Sequence, residues 1–402
     1  MSYNINFVFY GIFDMTTIKS GKLRLLALLL AGALSGTAAL AQTPVAKLHN
    51  YAGEDASDAW QQKLRLLNEG GDTVFRVVQL GDSHTAGAFF TDELRRRLQQ
   101  RWGDGGIGWV FPQQPKGQRD TQIRYRGGWL GLNARKDRAD FPLGGVLARS
   151  QAGQTLSLHP AETVISPQRI TFAMRPVSGG GALSVRDGDD NITAAYGLHG
   201  KVWQYFALDA VLPVHFATQN GDVWEIGAVG IENGKRGAVV SALGLNGAQF
   251  GQWSAWRQDW GADLAETRAD LVILAYGTNE AFNAAFDPAA AEKQWRDTVR
   301  RIRTALPEAA ILMVGAPESL KSRQGKCGVR PPKLDAVQMM QQRVAENEGL
   351  LYWSWQQAMG GACSMNDWVK QGLAAKDGVH FSAEGYRRAA AVLANALMGL
   401  AE

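Results

Sequence analysis

The apolar stretch Val74-Phe75-Arg76-Val77-Val78-Gln79-Leu80 runs straight into Gly81-Asp82-Ser83-His84, and a helical pattern follows. A buried strand that stops in a tight Gly-Asp-Ser turn ahead of a helix holds one serine hydroxyl at the carboxyl edge of a sheet. Open α/β folds place their chemistry at that edge. The helix is legible from Thr91-Asp92-Glu93, an acidic first turn, and from Leu94 and Leu98 at helical spacing. Its amino-terminal dipole is expected to favour negative charge developing near Ser83. Taken alone, Gly-Asp-Ser is also an ordinary turn composition, so the rest of the chain decides its meaning.

Upstream of the first strand, Asp55 to Asn68 reads as a helix. From Leu264 onward, helix and strand patterns alternate. Leu271 to Tyr276, Ala310 to Val314 and Leu350 to Trp355 read as strands; Ala289 to Leu306, Lys333 to Glu348 and Ala383 to Leu400 read as helices. Apolar runs suited to burial on both faces, interleaved with amphipathic helices, predict a parallel sheet covered on each side. Between Gly105 and Ala242 the texture changes: glycines cluster and period-two alternation replaces the helical period. Ile170, Phe172 and Met174 fall on one strand face, as do Leu212, Val214 and Phe216. Asn233-Gly234, after the Trp224 to Ile231 run, signals a hairpin. Short strands punctuated by turns predict an inserted all-β module of the sandwich or jelly-roll kind.

The 402 residues suggest two domains or one domain with a large insertion. Net charge is +4, half of it carried by Lys19, Lys22 and Arg24 against Asp14, so no nucleic-acid partner is expected. Those three cations, the apolar run Leu25 to Leu34 and the small-residue site Ala39-Leu40-Ala41 form the pattern of a secretory signal peptide over residues 1–41, with Met15 an alternative start. The expected location is the periplasm, with no stable membrane insertion after cleavage; an uncleaved anchor is the alternative. In such a compartment Cys327 and Cys363 are expected to pair as a disulfide; two free buried thiols are the alternative.

A serine nucleophile needs a base, a group that orients the base, and donors for the oxyanion. Asp377-Gly378-Val379-His380 can set a carboxylate against one imidazole nitrogen while the other faces the strand ends. His84 competes for the role of base, but adjacency along the chain keeps its ring from the Ser83 hydroxyl; shaping the turn or touching substrate suits it better. Asn279, after the strand ending at Tyr276, and the glycine-bearing turn Gly244 to Ala248 are candidate oxyanion donors. Each feature alone is an ordinary turn; in order, at the ends of separate strands, they form a set.

This set resembles the SGNH, or GDSL-type, hydrolases. Ser83 matches their nucleophile, Gly247 their second-block glycine, Asn279 their third-block asparagine, and Asp377 with His380 their last-block pair. The resemblance covers roughly Thr73 to Phe111 and Ala242 to the end. It implies an α/β, three-layer flavodoxin-like fold and ester hydrolysis with no metal and no cofactor. The expected catalytic residues are Ser83, Asp377 and His380, and the expected oxyanion donors are Ser83, Gly247 and Asn279; Gly244 or Asn246 could share the part of Gly247. Two positions depart from the pattern: His84 stands at the usual leucine and Glu280 at the usual aspartate.

A narrower resemblance, carried by GDSHTAG, Phe89-Phe90-Thr91, the Gly105 to Gly108 loop and the long β insertion, is to the periplasmic peptidoglycan O-acetylesterases of Gram-negative bacteria. It implies an O-acetylated glycan as substrate and a carbohydrate-binding-like insertion. The corresponding division is 42–114 and 243–402 for the catalytic domain and 115–242 for the insertion. His84 and Trp109 are the expected substrate contacts. Trp102, Trp129, Trp203 and Trp224 suit either sugar stacking or a β core. Arg124, Arg126, Arg135, Lys136 and Arg138 suit either anionic glycan groups or a solvated face. Esterases of other acetylated polysaccharides, lipases or thioesterases with the same catalytic set, and a non-catalytic glycan-binding or acetyl-transferring envelope protein are the competing readings.

Overall fold

The computed structural model describes residues 46–53, 58–178, 181–197, 200–219 and 221–402. The leader pattern over 1–41 and the expected helix start at Asp55 lie outside them. A six-stranded sheet runs in the order Leu48–Asn50, Leu351–Ser354, Ala310–Gly315, Leu271–Ala275, Val74–Gly81, Gly237–Gly244. All neighbours are parallel except the short first strand, which is antiparallel to Leu351–Ser354.

Alternate residues of these strands feed opposite cores, as the strand period demands. On one face Val77, Ile273 and Leu312 pack with Leu64, Leu94 and Leu393 from the helices Ala59–Asn68, Phe89–Trp102 and Ala383–Met398. On the other, Val78, Val272 and Met313 pack with Val299 and Val344 from the helices Pro288–Ala305 and Leu334–Asn347. The chain is thus a three-layer α/β protein, as its apolar runs indicated.

The insertion forms two further sheets, both antiparallel. Ile170, Phe172, Met174, Val214 and Phe216 are all fully buried between them, which confirms the period-two faces. The strands place the changeovers differently from the expected 115 and 242. Gly106–Val110 pairs with Val223–Glu232 in an insertion sheet, and Gly237–Gly244 already belongs to the parallel sheet. The Asn233-Gly234 turn is accordingly not a hairpin. It carries the chain from one sheet to the other, because Gly237–Gly244 is almost wholly buried and finds its partner in Val74–Gly81. The flank of that edge strand is covered by the insertion: the Trp109 N–H donates to Ser241 Oγ at 2.9 Å, protecting an edge that would otherwise be open.

Candidate active site

Three neighbouring parallel strands end in register: Gly244 lies opposite Gly81, and Gly81 opposite Ala275. Ser83, Gly247 and Asn279 stand two to four residues beyond those ends, at one carboxyl edge. Ser83 opens its own one-turn helix, Ser83–Ala86, capped by Asp82, whose carboxylate accepts from the His84 N–H at 2.9 Å. The long helix starts only at Phe89, after Ala88 in the left-handed region with φ 62°. The serine therefore does not sit at the long helix's amino terminus, contrary to the expected dipole arrangement.

Two of the strand-end glycines make room for this turn. A Cβ on Gly81 would lie 2.2 Å from Thr85 Oγ1, and one on Gly244 would lie 2.5 Å from the Ala86 nitrogen. The short helix is seated directly on the two strand ends, and Gln79 Nε2 fixes it from below through Thr85 Oγ1 at 2.8 Å.

The Ser83 hydroxyl is 3.0 Å from His380 Nε2, and His380 Nδ1 is 2.8 Å from Asp377 Oδ2. The other Asp377 oxygen accepts from the Val379 and His380 N–H groups at 2.9 and 3.0 Å. Partial burial pushes the Asp377 carboxyl up, but those N–H groups and the imidazole outweigh it and hold it below the usual carboxylate range. The loop is backed by Leu320, whose N–H donates to Gly378 O at 2.7 Å. Leu320 belongs to the segment entering the Cys327–Cys363 disulfide, whose Cα atoms are 4.5 Å apart.

Three residues beyond the neighbouring strand end, Gly247 holds φ +70°. Among the described residues, no backbone acceptor is paired with the N–H of Ser83 or of Gly247. Asn279 uses Nδ2 to bind Ala248 O at 2.9 Å. Glu280 reaches the Phe250 N–H at 2.7 Å, so the glutamate at this position ties the Gly247 turn to the Asn279 turn. Chemically, the site presents a hydroxyl next to an oriented imidazole, with unpaired N–H donors at the same edge.

His84 and Trp109, the expected substrate contacts, are both buried. His84 is 2% exposed, with Nδ1 2.9 Å from the Tyr386 hydroxyl, and burial pushes its imidazole down to about 3. Trp109 is 5% exposed, its ring lying against Gly230 and Tyr205. Trp102, Trp129, Trp203 and Trp224 are likewise buried, so they serve the cores and not sugar stacking. Sequence reasoning missed Gln118 and Tyr386, and saw Arg135 only as one member of a basic run.

The sheet, the insertion and this serine–histidine–aspartate arrangement define a carboxylic ester hydrolase of the GDSL-like lipase/acylhydrolase class. Residues 190–388 match that family, and residues 105–215 match the family described as peptidoglycan O-acetylesterase, N-terminal. Ser83 lies outside both ranges. A solved structure described as "Peptidoglycan O-acetylesterase in action, 5 min" is 50% identical, with TM-score 0.82, covering 88% of this chain and 99% of that one. The chain belongs to the peptidoglycan O-acetylesterase family. Weaker likenesses include a GDSL-like lipase from Parabacteroides merdae (18% identity, TM-score 0.32, 40% of this chain and 74% of that one) and a family two carbohydrate esterase from Cellvibrio japonicus (13%, 0.31, 69% and 100%). No curated protein sequence matches.

Proposed function

We propose that this enzyme removes O-acetyl groups from peptidoglycan by way of an acetyl-enzyme on Ser83. The observation that carries the reading is the unbroken hydrogen-bonded chain from Ser83 Oγ through His380 to Asp377, at 3.0 and 2.8 Å. His380, held by Asp377 in the tautomer that leaves Nε2 free, takes the Ser83 proton as Oγ attacks the acetyl carbonyl. The tetrahedral oxyanion is received by the Ser83 and Gly247 N–H groups and the Asn279 amide. Its collapse breaks the bond to the sugar oxygen, which takes the proton from His380. Water then attacks the acetyl-enzyme, giving one proton to His380; that proton passes to Ser83 Oγ as its bond to the acyl carbon breaks, and acetic acid leaves and ionises in solvent.

The glycan assignment draws on the 50%-identical peptidoglycan O-acetylesterase. The leader pattern over residues 1–41 supports export to the periplasm, as does the Cys327–Cys363 disulfide, a bond that persists in oxidising compartments. The test is acetate release from O-acetylated peptidoglycan measured beside acetylated xylan and acetylated alginate. A clear preference for peptidoglycan, abolished in Ser83→Ala and His380→Ala, is expected. Equal release from all three glycans would remove the substrate assignment, and full activity in both variants would remove the mechanism.

A further inference from the structure

The strand-end turn that carries Gly247 is not held by the catalytic domain alone. Gln118, in the insertion, grips it at two backbone atoms: Oε1 accepts from the Asn246 N–H at 2.9 Å and Nε2 donates to Gly244 O at 3.2 Å. Gly117 O accepts from Asn246 Nδ2 at 3.0 Å. From a second insertion loop, Arg135 Nη1 donates to Asn246 O. A Cβ on Gly247 would fall 2.7 to 2.9 Å from the Arg135 guanidinium, so the close approach needs glycine there. The loop bearing Gln118 also touches the nucleophile's turn, through the Arg119 N–H on Ala86 O at 3.4 Å.

The carbonyl gripped by Arg135 and the N–H of Gly247 belong to the same peptide unit. In a trans peptide the two point in opposite directions. Fixing the oxygen on a guanidinium outside the turn therefore aims the N–H away from the insertion. A cation hydrogen-bonded to the carbonyl also polarises the peptide and strengthens its N–H as a donor. We infer that Arg135 and Gln118 are positioning residues for ester hydrolysis: the insertion completes the oxyanion site by orienting the Asn246–Gly247 peptide. This rests on the reading of Ser83 as nucleophile and Gly247 as oxyanion donor.

The test uses p-nitrophenyl acetate, which carries no glycan and so bypasses any sugar contact of the insertion. Arg135→Met and Gln118→Met keep length and remove the polar grip. The expected result is a fall in kcat of about 10- to 100-fold with KM little changed, since misplacing one oxyanion donor costs up to that of deleting it. Labelling of Ser83 by a fluorophosphonate, which builds charge on the same oxygen position, should slow in parallel. Arg135→Lys should recover part of the rate. Arg135 is exposed, so its variant should melt at the wild-type temperature. Wild-type kcat in both Met variants, or a change confined to KM, would overturn the inference while leaving the esterase mechanism standing. Retained activity in Ser83→Ala would instead remove the mechanism itself.

Discussion

His84 Nδ1 and the Tyr386 hydroxyl are 2.9 Å apart, and this bond engages the histidine beside the nucleophile with the last long helix. The His84 ring is enclosed by Trp355, Phe381 and Tyr386, with the His380 ring 5.6 Å away. Tyr386→Phe should consequently act on stability and not on chemistry. Removing the hydroxyl leaves a buried ring nitrogen unpartnered, at a cost of about 1–3 kcal/mol. Urea unfolding should register that loss while kcat and its pH profile stay within about threefold of wild type.

Asp377 makes three bonds that keep it ionised and aimed at His380. Asp377→Asn preserves the shape but lets the amide favour the wrong imidazole tautomer. The loss in kcat should reach about 10²- to 10⁴-fold, with KM nearly constant. Steady-state kinetics on a small acetyl ester reads this directly; a loss confined to KM would contradict the orienting role.

The seat of the nucleophile's turn allows no side chain at Gly81 or Gly244. Gly81→Ala places a methyl group against Thr85 and Ala275 O, and Gly244→Ala places one against Ala86. Overpacking of this kind costs about 1–3 kcal/mol, and here the strain is relieved by moving Ser83. Both variants should lose more than tenfold in kcat. Thermal melts and kinetics together check this: a lowered melting temperature with full kcat would show the turn to be less rigidly seated than its contacts indicate.

Two buried groups set opposing pH dependences of stability. Burial, with His380 nearby, pushes His84 down to about 3, so the unfolded chain takes up its proton first, and stability falls as pH drops below about 6.5. Burial, reinforced by the charge of Glu280, pushes Asp82 up to about 7. Its contribution is fully present below about 4 and is lost as pH rises through about 7. Asp82→Asn keeps an acceptor for the His84 N–H and removes the charge. The variant should gain on wild type as pH rises from 4 to 8, by an amount on the order of a few kcal/mol. Urea titrations at several pH values measure it; a gap that widened toward acid would refute the assignment.

The disulfide spans a sequence separation of 36. Closing a loop of that length restricts the unfolded chain by about 3–4 kcal/mol. Replacing both Cys327 and Cys363 by alanine should lower the melting temperature accordingly. Because Leu320, in the segment entering that loop, carries the hydrogen bond to Gly378, the same variant should also weaken the placement of His380. Melting curves and kcat for the double variant, with and without reductant on the wild type, provide the measure.

The catalytic layers were legible because their signals are local. Runs such as Leu271 to Ala275 are apolar on both faces, and the helix Ala383–Met398 keeps its apolar residues at helical spacing. The Asn233-Gly234 turn misled for the same reason. Its composition specifies a reversal, whereas the partner of the next strand is decided by which sheet can bury it on both faces. The buried state of His84 and Trp109 was invisible because burial depends on neighbours remote in sequence, Tyr386 among them. Gln118 and Arg135 were harder still: they act on backbone atoms 128 and 111 residues away. A backbone partner leaves no signature in its own side chain.

Ser83 and His380 are separated by 297 positions in the chain. The hydroxyl and its base lie on opposite sides of the whole insertion in the chain. Until the segment holding Asp377 and His380 docks against the strand ends, Ser83 is an ordinary alcohol. Reactivity is thus a property of the folded state, so an unfolded chain carries no activated serine to acylate its surroundings.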